Sequence, residues 1–134
     1  MTTDVRGKVD LWLKAINEQK NEHFTMDENK KCKFFYKDGI ECTLELLEEK
    51  DRFYLYSPLV AVSDDVTAMR RALEANLFQI ATAGSVISVD KNSNYFVLSF
   101  AAKISDFSAD IFINQLCIFL TTAHIVRAML QEKQ

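Results

Sequence analysis

Apolar and polar positions along the chain change period several times, and each change marks an element. Val5, Val9, Trp12 and Ile16 recur at spacings of four, three and four, with Leu13 beside them. That is one face of a helix over residues 4 to 20. The segment KCKFFYK, residues 31 to 37, reads as a strand, and Asp38-Gly39 is a turn signal. Residues 40 to 47 alternate strictly, with Ile40, Cys42, Leu44 and Leu46 on one face and Glu41, Thr43 and Glu45 on the other. A three-residue loop at Lys37-Asp38-Gly39 sets Tyr36 against Ile40, Phe34 against Cys42, Cys32 against Leu44 and Lys31 against Glu45. A two-residue loop would drive Lys33 and Lys37 onto the core face and is rejected. After the charged turn EEKD, RFYLYSPL places Phe53 and Leu55 opposite Leu46 and Leu44, with Pro58 expected to end regular pairing.

The second half follows the same logic. Ser63 is the expected cap of a second helix, with Asp64 and Asp65 at its positive end. Met69, Leu73, Leu77 and Ile80 form its stripe to about Ala83, and Gly84 is its stop. SVISV, the turn DKNSN and YFVLSFAAKI form a hairpin, and Ser108 with Asp110 opens a last helix reaching about Gln131. The order is α-β-β-β-α-β-β-α: an α+β fold, a mostly antiparallel sheet flanked by helices, in one domain over residues 1–134.

Composition narrows the function. A net charge of −3 disfavours a nucleic-acid binder relying on phosphate contacts. No charged-apolar-small leader opens the sequence. The apolar window at residues 111 to 130 carries Asn114, Gln115, His124 and Arg127, so a buried helix is expected rather than membrane insertion. Three scattered cysteines, Cys32, Cys42 and Cys117, read as free thiols of a cytosolic protein.

Chemistry finds little to stand on. His23 and His124 have no second ligand at helical spacing, so no metal or cofactor is expected. Ser63, Ser88 and Ser99 lie in no nucleophile elbow, and Cys117 and His124 are about 10 Å apart along a helix. Glu41 with Glu45, and Glu48 with Glu49, belong to a solvated strand face and a turn. Three isolated glycines form no phosphate loop. The expectation is not an enzyme. Apolar surface is what remains: three amphipathic or apolar helices offer more apolar face than one small sheet obviously needs.

The segments LEANLF (Leu73 to Phe78), ATAGS (Ala81 to Ser85) and ISVDKNSNYFVLSF (Ile87 to Phe100), with FTMDENKKCKFFYKDGIECTLEL before them, resemble the class I chaperones of bacterial type III secretion. Ala83-Gly84 stands where that family usually carries paired glycines. The resemblance implies a cytosolic homodimer that holds the N-terminal segment of a secreted effector extended, with the secretion apparatus as a further partner. It places the dimer seam on the second helix and fourth strand, at Met69, Leu73, Leu77, Phe78, Ile87 and Val89. A regulator or adaptor of the same fold is the alternative. The effector site is expected on the first helix and first strand, at Val9, Trp12, Leu13 and Ile16, continued by Phe34, Phe35 and Tyr36. An edge strand there accepts an extended peptide, and Phe35 points away from the core stripe.

Overall fold

A computed structural model describes residues 5–132 and runs α1 (Val5–Lys20), β1 (Lys31–Phe35), β2 (Glu41–Leu47), β3 (Arg52–Ala61), α2 (Val66–Ala75), β4 (Val86–Asp90), β5 (Tyr95–Lys103) and α3 (Ala109–Gln131). The expected start of α1 at residue 4 lies outside the described residues. The five strands form one antiparallel sheet in the order β1-β2-β3-β5-β4, so β1 and β4 are its edges.

The alternation in β1 and β2 fixes their register as expected: Lys31 faces Glu45, Cys32 faces Leu44 and Phe34 faces Cys42. Tyr36 N–H donates to the Ile40 carbonyl at 2.9 Å, and Gly39 takes the left-handed conformation (φ +78) that closes the three-residue turn. Phe53 and Leu55 oppose Leu46 and Leu44. One sheet face is thereby apolar, and α1 and α3 cover it. Trp12 stacks on Phe112 with ring centres 4.5 Å apart, and Phe53 meets both rings edge-on at 5.4 and 5.6 Å.

Three local expectations change. Pro58 does not end β3. Pairing with β2 stops at Tyr56, whereas pairing with β5 continues to Ala61 through an irregularity between Pro58 and Val60. The missing proline N–H therefore falls where β2 no longer runs alongside. Asp65 rather than Ser63 caps α2, accepting from Thr67 N–H at 2.9 Å, while Ser63 Oγ accepts from Asp65 N–H. Finally, α2 stops at Ala75 instead of reaching Ala83. The Asn76 side chain binds both backbone groups of Ile87, accepting from its N–H at 2.8 Å and donating to its carbonyl at 2.9 Å. Phe78 and Gln79 then adopt left-handed φ of 56°, which a continuing α-helix does not allow.

Candidate functional site

Polar side chains in this fold tie elements together. His124 Nε2 lies 2.8 Å from Asp38 Oδ2, and Arg127 donates to the Asp38 carbonyl, so α3 grips the tip of the β1–β2 turn. The hydrogen bond and charge of His124 hold the Asp38 carboxyl below the usual carboxylate range. Among the described residues no three His, Cys, Asp or Glu side chains gather as metal ligands do. Cys32 and Cys42 are buried and Cys117 is exposed. Burial pushes the Cys32 thiol up to about 11, with the charge of Asp27 adding to it, and raises Cys42 further still. Both thiols are held protonated, so their ionisation above the ordinary thiol range opposes the fold. Ellman's reagent is therefore expected to modify one thiol per native chain, Cys117, and all three after denaturation. Rapid reaction of more than one in the native protein contradicts this burial.

Apolar surface is distributed differently from the expectation. Val9, Trp12, Leu13, Ile16 and Phe34, expected to meet a partner, are buried within the protomer; Trp12 is 1% exposed. The stripe of α1 is spent on the sheet and α3, so its large side chains form core rather than a free face. Phe35 behaves otherwise. It points to the opposite side with Glu41 and is 70% exposed, and Tyr36 is half-buried.

Ile16, Phe34, Phe35 and Tyr36 nonetheless meet in one place. With Phe24, Leu116 and Leu120 they line a groove of about 340 Å³ between the end of α1, the edge of β1 and α3. Asn17 positions Phe24 in its wall by binding both backbone groups of that residue at 2.7 and 2.9 Å. That seats the Phe24 ring 4.8 Å from Phe34. Phe24 and the α3 residues escape sequence reasoning because they come from a polar connector and from a helix with no obvious free face.

Beside this groove runs the outer edge of β1. Strand hydrogen bonds alternate sides. Because Tyr36 bonds inward to Ile40, the N–H and C=O of Lys33 and Phe35 point outward. The outward groups of Lys31 are taken by Asp27, whose backbone N–H donates to the Lys31 carbonyl at 2.8 Å and whose carboxylate accepts from Lys31 N–H at 2.9 Å. Two residues of open edge are left next to an apolar groove.

A second surface lies on α2 and the turn that follows it, and α2 is packed inside out. Its buried residues are Ala72 and Ala75, while Met69, Leu73, Leu77 and Phe78 are exposed, Leu73 at 72% and Phe78 at 81%. Arg71 fixes this orientation by donating to the Met129 carbonyl at 3.2 Å and to the Glu132 carbonyl, both at the C-terminal end of α3. Val89 on β4 is also exposed, at 41%. Ile87 is not: it faces Leu98, points inward and is buried, so its placement on the seam is corrected. Val66 and Ile80, the latter a member of the sequence stripe, are exposed as well. Ile80 shares its periodicity and could have been included from sequence.

Solved structures share this architecture. A chain of the ExsC–ExsE complex superposes with a TM-score of 0.80 at 17% identity, over 96% of this chain and 97% of that one. A chain of the heterodimeric ExoU–SpcU complex from the type III secretion system of Pseudomonas aeruginosa gives 0.70 at 16% identity, over 92% and 98%. The complex of the Yersinia pestis type III secretion chaperone SycH with a fragment of YscM2 gives 0.66 at 14%, over 87% and 98%. At these identities the likeness is one of fold. No curated protein matches the sequence. The model of the Tir chaperone protein (CesT) family, however, matches residues 13–127, nearly the whole chain. This protein belongs to the Tir chaperone protein (CesT) family.

Proposed function

We propose that the protein is a type III secretion chaperone of the bacterial cytosol. It binds the N-terminal chaperone-binding segment of one or more effector proteins and keeps that segment extended, soluble and competent for secretion. It works as a homodimer joined through α2, without catalysis and without a cofactor.

The observation that carries this reading is the pairing of an open strand edge with an apolar groove. Lys33 and Phe35 offer unpaired backbone groups, and the groove beside them takes apolar side chains of a segment added as a sixth strand. Such a client loses much conformational entropy on binding, and a long extended contact offsets that loss better than one deep pocket does. The family assignment and the HopA1–SchA chaperone–effector complex among its structural relatives point the same way.

Affinity capture from the native cytosol, with mass spectrometry of the bound chains, identifies the client. Phe35→Asp then tests the site. The side chain is exposed in the protomer, so the melting temperature should hold within about 2 °C, as for a surface substitution. Affinity for the client segment should fall about 30-fold, the roughly 2 kcal/mol of a single anchor. Undiminished affinity in a folded Phe35→Asp variant removes the groove from the client site. Capture that yields no secreted protein refutes the chaperone reading itself.

A further inference from the structure

The last helix leaves a face uncovered that neither the groove nor the α2 surface explains. Ile111, Ile118 and Ile125 stand seven residues apart and are 53%, 38% and 61% exposed. Asn114, Thr121 and Ala128 fall between them at spacings of three and four, and all three are exposed. Seven residues make nearly two whole turns, so these six side chains form one strip about 25 Å long. No Asp, Glu, Lys or Arg interrupts residues 111 to 126. The flanking His124 is turned to Asp38. The most apolar window of α3 is only 33% buried, although an exposed helix face ordinarily carries charge.

The pattern specifies the shape that fits. Large isoleucines alternating with small or short residues in a seven-residue repeat make the seam of a helix pair, in which a second helix sets its knobs over Thr121 and Ala128. An extended strand gains nothing there, since α3 has no free backbone groups along its length. We propose that this strip seats an amphipathic helix of the client chain, four to five turns long, with an apolar heptad face. The same chain lies in extended form along β1, so the proposal rests on the client-binding reading above.

Two observations favour the client over a second copy of this protein. Thr121, a member of the strip, and Cys117 beside it also line the groove, so a chain filling one runs on to the other. Three partly covered isoleucines among small side chains also fall well short of the ~800 Å² per partner that a self-standing interface buries. The strip therefore extends a larger contact.

The test uses the full-length protein and a fluorescein-labelled 21-residue helical peptide with leucine at the a and d positions and Glu or Lys elsewhere. Fluorescence anisotropy should show saturable binding. That binding should weaken at least tenfold in Ile118→Glu and, separately, in Ile125→Lys, with circular dichroism unchanged, while Phe35→Asp leaves it within twofold. Absence of saturable binding, binding undiminished in both strip variants, or loss in Phe35→Asp overturns the proposal. So does sedimentation showing assembly beyond a dimer that Ile118→Glu abolishes, which assigns the strip to a second copy. Failure of the client reading is separate: it appears as capture from the native cytosol that yields no secreted protein, whatever the peptide does.

Discussion

Leu73→Glu is expected to give a folded monomer of 15.4 kDa where the unsubstituted chain is a dimer at micromolar concentration. In the protomer Leu73 is largely in water, and a glutamate there disturbs the fold by about 0.5 kcal/mol or less, as surface substitutions do. At a two-fold seam the same change counts twice, because each copy brings the residue to its partner. Each carboxylate is desolvated against Met69, Leu77 and Phe78 side chains that offer it no donor, a cost of several kcal/mol. A combined loss of at least ~4 kcal/mol raises the dissociation constant about a thousandfold. Light scattering reads the mass and circular dichroism the fold. A variant that stays dimeric, or an unsubstituted chain that is already monomeric, removes α2 from the interface. The protomer keeps its fold because its core does not draw on this stripe: α2 contributes the buried Ala72 and Ala75 to it, with Ala68 partly buried against it.

Trp12→Ala has the opposite signature. The expected effector site on the first helix makes Trp12 a partner-facing residue whose loss spares the fold. The structure places it at the centre of the aromatic core, stacked on Phe112 and edge-on to Phe53. Removing it leaves a cavity among rings that cannot close around an alanine, and costs about 3–5 kcal/mol. Against the ~5–15 kcal/mol that holds a domain together, that loss lowers the urea midpoint strongly. Client retention should decline only as the folded fraction does. A Trp12→Ala variant with unchanged urea stability and lost client binding would restore the original placement on the surface.

Much of this architecture is legible in the amino-acid sequence. Strict alternation in Ile40 to Leu46 and the Asp38-Gly39 turn admit one register, because a one-residue slip puts lysines in the core. The cross-strand partners of Cys32, Phe34, Phe53 and Leu55 followed from that. Ser108 was recognisable as the cap of α3 and accepts from Ile111 N–H as an N-cap should. The Leu73–Phe78 and Ile87–Phe100 segments carried the family resemblance. The end of α2 was not legible. The run from Leu73 to Ile80 keeps helical periodicity, and only the contact between Asn76 and Ile87, eleven residues later, breaks it.

The division between the two levels of information is clearest on the helices. Periodicity determines which side chains share a face, because it depends only on the 3.6-residue turn. It says nothing about whether that face turns toward the chain's own sheet. The stripes of α1 and α2 look alike in sequence, yet Val9, Trp12, Leu13 and Ile16 are buried while Met69, Leu73, Leu77 and Phe78 are in water. What decides between them is competition for one apolar sheet face of limited area. That face is filled by α1 and α3, and α2 reaches the body only through its alanines and Arg71. The same competition leaves Ile111, Ile118 and Ile125 outside, since a helix with apolar residues all round can turn only one side to the sheet. The sequence by itself determined the elements, the strand register and the family; which apolar faces stay free for partners was set by the tertiary packing, because burial is a property of the whole fold.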